Sequence, residues 1–341
     1  MTRVFFLGRS FLALFISLGL ISFSFGSPSL GMAAEKKTKA SAKPGQAKSA
    51  KPGAAESGAG AAGSAGVFIS AGVYKKTIGD LEIYALSDNR GRLEFSVLLG
   101  LTRDQIRAMV GQNSEMDNSS LTSYINAFLV KSPVGLFLVD TGLGNGDTLV
   151  KGIKEAGFSP EDVTDVLLTH FHRDHIDGLL SGGKSLFPKA TVWASKNEDR
   201  YWIKDNQNNR GQSAETKIFP YRRDGRYKLF EPGQAIRPGV ETIELYGHTP
   251  GHVGYLFTSG RGRDILFWGD IVHAYLIQFQ SPQTAVTYDV DSTVAAETRS
   301  KILKTSAERD YWVAGAHLPF PGLGRVKARS SGQGYDWIQE R

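Results

Sequence analysis

The chain has 341 residues, 41% of them hydrophobic, with 40 Lys+Arg against 34 Asp+Glu and no cysteine. That apolar content suffices for one large packed core or two modest ones, and the lack of cysteine excludes a disulfide framework, a cysteine-borne lipid anchor and thiolate metal ligands. The net charge of +6 is local: residues 1–66 hold eight of the basic and two of the acidic side chains, leaving 32 of each and none of the basic surplus that draws a protein to nucleic acid.

Arg3 and Arg9 precede an apolar stretch from about Phe11 to Phe25, too short and too loosely flanked for a membrane span. It is expected to be a signal peptide cleaved near Gly31-Met32-Ala33, with Ser24-Phe25-Gly26 as a second candidate and an uncleaved anchor as the alternative. Lys, Ala, Gly, Ser and Pro then dominate, with no large apolar side chain between Met32 and Val67, which predicts a mobile tether. The expected layout is a leader over 1–33, a linker over 34–66 and a folded domain over 67–341. Its expected location is periplasmic or secreted, with no stable membrane span once the leader is removed.

Leu81 to Leu86 alternates like a strand, and Ser87-Asp88-Asn89-Arg90-Gly91 supplies turn chemistry. Asn126 to Val130 and Leu136 to Val139 read as a strand pair joined across Ser132-Pro133-Val134-Gly135. Helical spacing runs from about Thr148 to Ala156, closed by Gly157, and Val166 to Leu168 is a short apolar run. Thr191 to Ala194 is strand-like, and Ser195 with Glu198 predicts a capping box for a helix reaching about Ile203. Residues 204–228 are polar and broken, as in a long functional loop or lid. Strand-like runs return at Thr242–Tyr246, Val253–Thr258 and Ile265–Trp268; a helix capped by Asp291 or Ser292 reaches about Ser306, and Tyr311–Ala314 is a last short strand. Two sets of strands, each followed by helices, predict a body of two layered sheets with helices outside.

The run Thr169-His170-Phe171-His172-Arg173-Asp174-His175 follows the short apolar segment directly. Neutral imidazoles beside an aspartate are the ligand set preferred by zinc and similar divalent ions. His170 and His172 alternate by two and point the same way from an extended segment, while Asp174 and His175 can reach a second ion. One ion takes three or four protein ligands, so this run under-fills two sites, and the candidates for the remainder are His248, Asp270 and His317. His252, four residues beyond His248, reads as a structural hydrogen-bonding histidine.

The ordered set Asp140-Thr141-Gly142, His170/His172/Asp174/His175, His248, Asp270 and His317 resembles the metallo-β-lactamase superfamily. The resemblance implies an α+β fold, a four-layer αβ/βα sandwich with a single catalytic domain and the site at one edge between the sheets. It also implies two divalent ions, one held by His170, His172 and His248, the other by Asp174, His175 and His317, with Asp270 bridging and Asp140 supporting the loop. Zinc is expected, although manganese, cobalt or iron suits the same donors.

Two such ions sharing a hydroxide hydrolyse a carbonyl or phosphoryl centre without a serine or cysteine nucleophile. His172 stands where redox members carry glutamate, and a bridging Asp270 departs from the all-histidine β-lactamases. Gly79-Asp80-Leu81-Glu82-Ile83, Gln278-Phe279 and Ala316-His317-Leu318-Pro319-Phe320-Pro321-Gly322 resemble methyl parathion hydrolase and its lactonase and arylesterase relatives. His273 replaces an apolar residue of the former, which favours lactones or aryl esters with phosphotriesters as a side activity. Asp174, Asp270 and His273 are the candidate catalytic residues, and Trp202, His273 and Phe279 are candidates for binding a small-molecule substrate. Phe320 is a further pocket candidate, with a core position as the alternative for both phenylalanines. Homodimers are frequent among such relatives. A non-catalytic envelope binding protein is the alternative outside enzymes, and it would be expected to lack a ligand.

Overall fold

A computed structural model of the chain describes residues 65–144, 147–205 and 209–340. The expected leader and nearly all of the expected linker lie outside these residues.

The first sheet contains β1 (Val67–Ser70), β2 (Val73–Ile78), β3 (Leu81–Glu94), β4 (Ser120–Ser132), β5 (Gly135–Val139), β6 (Asp165–Leu167), β7 (Thr191–Ser195) and β8 (Tyr227–Phe230), side by side in that order. Pairing is antiparallel from β1 to β5 and parallel from β5 to β8. The second sheet repeats the scheme with β9 (Ala235–Arg237), β10 (Val240–Glu244), β11 (Val253–Phe257), β12 (Ile265–Phe267), β13 (Trp312–Ala314), β14 (Leu323–Ala328) and β15 (Tyr335–Gln339). Only its β12/β13 pair is parallel.

The helices are α1 (Arg103–Val110), α2 (Thr148–Glu155), α3 (Arg173–Ile176), α4 (Lys196–Asp199), α5 (Asn209–Arg223), α6 (Tyr275–Gln278) and α7 (Ser292–Arg309). Three apolar clusters define the layers. Leu149 and Ile153 of α2 and Ala214, Ile218 and Tyr221 of α5 cover Leu129, Leu138, Val166 and Val192 on the outer face of the first sheet. Between the sheets, Phe128 meets Phe267 at 5.5 Å and Phe137 meets Phe257 at 5.3 Å, both edge to face. Ile302 and Leu303 of α7 cover Leu256, Leu266 and Val313 on the outer face of the second sheet. The result is the expected four-layer αβ/βα sandwich.

Three local expectations change. Ser87–Gly91 forms no turn: β3 runs on as strand, paired with β4 from Glu82↔Lys131 to Glu94↔Ser120 with an irregularity between Ser87 and Asn89. A long partner strand offers ladder hydrogen bonds that outweigh local turn preference, and a bulge absorbs the misfit. Residues 204–228 are no broken lid, because α5 and β8 occupy much of the segment. The buried stripe of α5 is Gly211, Ala214, Ile218 and Tyr221, too weakly apolar to show as periodicity, and Pro220 interrupts the pattern. Ser195 does cap α4, accepting from the Glu198 N–H at 3.1 Å, but the Glu198 carboxylate points elsewhere, so the reciprocal half of the box does not form. The chain continues from α4 as a π-helical turn over Arg200–Asp205. Among the described residues no helix is long and apolar enough to cross a membrane.

Candidate metal centre

Short buried strands end at the same edge of both sheets, and the polar side chains sit just beyond them. His170 and His172 follow β6, and α3 then turns Asp174 and His175 back toward them. From the second sheet come His248 after β10, Asp270 after β12 and His317 after β13. Gly269 makes the turn into Asp270 with φ +56°, where a Cβ would stand 2.5 Å from His252 Nε2.

Two groups of ligand-type atoms that share no residue result, one of His170, His172, His248 and Asp270, the other of Asp174, His175 and His317; a third, of Asp270, His273 and His317, overlaps both. His172 Nδ1 lies 3.0 Å from His170 Nε2 and 2.9 Å from His248 Nε2. Asp270 reaches both groups: Oδ1 is 3.1 Å from His175 Nε2, and Oδ2 is 3.1 Å from His248 Nε2 and 3.2 Å from His317 Nε2. Asp174 Oδ2 stands 3.5 Å from His317 Nε2 and 3.7 Å from His175 Nε2.

The outer nitrogens are occupied. His175 Nδ1 donates to Asp140 Oδ2 at 2.8 Å, His248 Nδ1 to Asp289 Oδ1 at 2.9 Å and His317 Nδ1 to the Tyr124 carbonyl at 2.6 Å. His170 Nδ1 contacts the Thr169 hydroxyl at 3.1 Å, which itself donates to Asp140. These partners hold the Nδ1 side of His170, His175, His248 and His317, so that Nε2 of each faces inward. Buried His175 Nε2 and Asp270 Oδ1 have no hydrogen-bond partner. Ligand-type nitrogen and oxygen atoms set about 3 Å apart match the ligand edges around a zinc-sized ion, about 3.3 Å for tetrahedral bonds of about 2.0–2.1 Å. The donor set fits divalent metal ions.

Electrostatics agree. Burial, joined by the charge of His175, holds His170 well below the usual imidazole range. Burial and His248 do the same to His172. Burial opposes protonation of His175 and His248 as well, but Asp270 with Asp140 lifts the former well above its usual range, and Asp270 with Asp289 lifts the latter to about 9. Burial would raise Asp270, yet the cationic His175 and His317 outweigh it and keep the carboxyl well below the ordinary range. Buried carboxylates here demand compensating positive charge, which protons supply on some imidazoles and a bound cation would supply directly.

His252 is structural, as expected: Nδ1 donates to Leu245 O at 2.9 Å and Nε2 accepts from the Asp270 N–H at 3.0 Å. His172, Asp174, Trp202, His248, Asp270, His273 and His317 line one cleft of about 730 Å³, together with Arg92, Lys217 and Tyr288. His273 Nε2 lies 3.1 Å from Asp270 Oδ2, while its buried Nδ1 has no partner. Phe279, a candidate for binding substrate, is not among the residues that line this cleft. It stacks on Trp337 at 5.5 Å and packs near Trp268 beneath the second sheet. Phe320 likewise packs against the core between the sheets. Asp289 escaped sequence reasoning, since a lone aspartate in Tyr288-Asp289-Val290 carries no spacing signal.

The four-layer sandwich carries a buried His/Asp cluster, suited to divalent metal ions, where its two sheets meet. The chain belongs to the metallo-beta-lactamase superfamily, whose family model matches residues 122–317. Among solved structures, the hydrolase AbOPH of the beta-lactamase superfamily is 32% identical with a TM-score of 0.76, over 80% of this chain and 98% of that one. AidC, a dizinc quorum-quenching lactonase solved with the product N-hexanoyl-L-homoserine, is 28% identical with a TM-score of 0.72, over 79% and 98%. A probable metallo-hydrolase of Mycobacterium tuberculosis is 29% identical over 178 residues, 42% of this chain. The chain spans little more than half of that relative, 56% of its length.

Proposed function

We propose that the protein is an exported dinuclear hydrolase of lactones or aryl esters, with phosphotriesters as slower substrates. The observation that carries this reading is the convergence of His170, His172, His175, His248 and His317 around Asp270, which itself lines the cleft. One ion would be held by His170, His172 and His248, the other by Asp174, His175 and His317, with Asp270 shared. When bound, a pair of divalent ions, zinc in the first instance, supplies Lewis acidity and a water acidic enough to attack a carbonyl or phosphoryl centre at neutral pH.

The protein's own groups bind and orient. His273 lines the cleft beside Asp270, from where its ring would contact a substrate carbonyl or a departing oxygen. Trp202 and Tyr288 give the cleft aromatic walls suited to a ring-bearing or acylated substrate. Kinship with a lactonase at 28% identity supports the lactone class. Export rests on the leader-like composition before residue 34.

Purified protein given dihydrocoumarin, an acyl-homoserine lactone, a paraoxon-type triester and a β-lactam tests the reading. Lactone or aryl ester should turn over fastest, chelation should abolish the activity and added zinc should restore it. Rates indifferent to chelation would overturn the metal mechanism, and a triester preference would make the protein an organophosphate hydrolase.

A further inference from the structure

Glu198 is almost wholly buried, and its carboxylate accepts four hydrogen bonds. Oε1 receives the Phe171 N–H at 2.9 Å and the Trp202 indole N–H at 2.6 Å. Oε2 receives the Thr249 hydroxyl at 2.7 Å and the Gly251 N–H at 3.1 Å. Phe171 lies between His170 and His172, Thr249 directly follows His248, and the Trp202 ring stands edge-on to His172 at 5.4 Å. The segments also interlock through their backbones. Ser195 Oγ donates to Gly251 O at 2.7 Å, and a Cβ on Gly251 would come within 2.0 Å of Glu198 N.

We propose that Glu198 is a positioning residue that clamps together the two loops carrying His170, His172 and His248, and so sets the affinity of that group alone for its cation. This rests on reading the two His/Asp groups as cation sites. The second group is held from elsewhere, through Asp140 on His175 and the Tyr124 carbonyl on His317. Three of the four donors to Glu198 are N–H groups that cannot accept, so only a carboxylate, with lone pairs on both oxygens, satisfies them all. In Glu198→Gln the amide NH2 meets at least one N–H donor in either orientation, and a buried donor is stranded.

The test is a zinc titration of the cation-free full-length protein against a chromophoric chelator. Wild type should bind two ions. Glu198→Gln should keep one at wild-type affinity and hold the other about 10–100-fold more weakly, the usual effect of losing an outer support of metal ligands. In a His317→Ala background the remaining ion should weaken by the same factor, whereas in a His248→Ala background Glu198→Gln should change nothing further. Thr249→Val, which removes one donor to Glu198 and keeps the side-chain shape, should weaken the same ion by a smaller factor, and it decides the matter if Glu198→Gln does not fold. Equal weakening of both ions, or of neither, would overturn the clamp. A wild-type protein that binds no divalent ion would overturn the reading of the centre instead.

Discussion

Asp140 supports the centre from just outside the ligand-type cluster. Its Oδ1 accepts the Thr169 N–H and its Oδ2 both the Thr169 hydroxyl and His175 Nδ1, each at 2.8 Å, from a backbone held at φ +57°. An aspartate tolerates that left-handed conformation better than most side chains. In Asp140→Asn the amide NH2 faces either the Thr169 N–H or His175 Nδ1, so either the loop that carries His170 or the His175 ring loses its support. Metal affinity or kcat/KM should drop about 10–100-fold, read by zinc titration and by initial rates; unchanged values would show that Asp140 does not support the ligand. Its neighbours were legible to different degrees. His170 to His175 stood out because imidazole and carboxylate clusters are rare without a ligand role, whereas Asp289 and Glu198 act only through what their carboxylates touch.

At the scale of elements, the centre is assembled where strands stop. β6, β10, β12 and β13 are three to five residues long, and the segment after each delivers a ligand-type side chain. Short buried strands give these loops rigid anchors. Gly269 is one of the tight junctions, where a Cβ would also stand 2.8 Å from Thr169 Oγ1. Gly269→Ala should therefore cost at least about 1–2 kcal/mol for its left-handed backbone, and the collision should displace Asp270 as well. Urea denaturation should show the stability loss and zinc titration the weakened site; a variant unchanged in both would mean that the junction relaxes freely. Strand and helix periodicity located β5, β7, β11 and α7 well. It failed at α5, whose buried stripe contains glycine and alanine, and at β3, where pairing with β4 overrode a run of turn-forming residues.

In the whole molecule, two mixed sheets share one apolar interior and bring the ends that carry the ligand-type residues together. Each half supplies part of a charge cluster that would repel itself or remain unsatisfied alone, so bound cations should stabilise the sandwich as a unit. At a free concentration about 100-fold above Kd, each ion should add about 2.7 kcal/mol. Thermal unfolding after exhaustive chelation should shift down accordingly and recover on adding zinc, and an unmoved midpoint would argue against native-state binding. The ligand-type residues, their order along the chain and the layered architecture could be read from one dimension, because metal chemistry admits few side chains and buried strands repeat a simple pattern. Folding chose their neighbours. Whether Phe279 faced the cleft or the core, which carboxylate gripped which loop and where α5 packed depended on the directions of side chains across segments far apart in the chain, and those are set by packing between layers rather than by local residue preference.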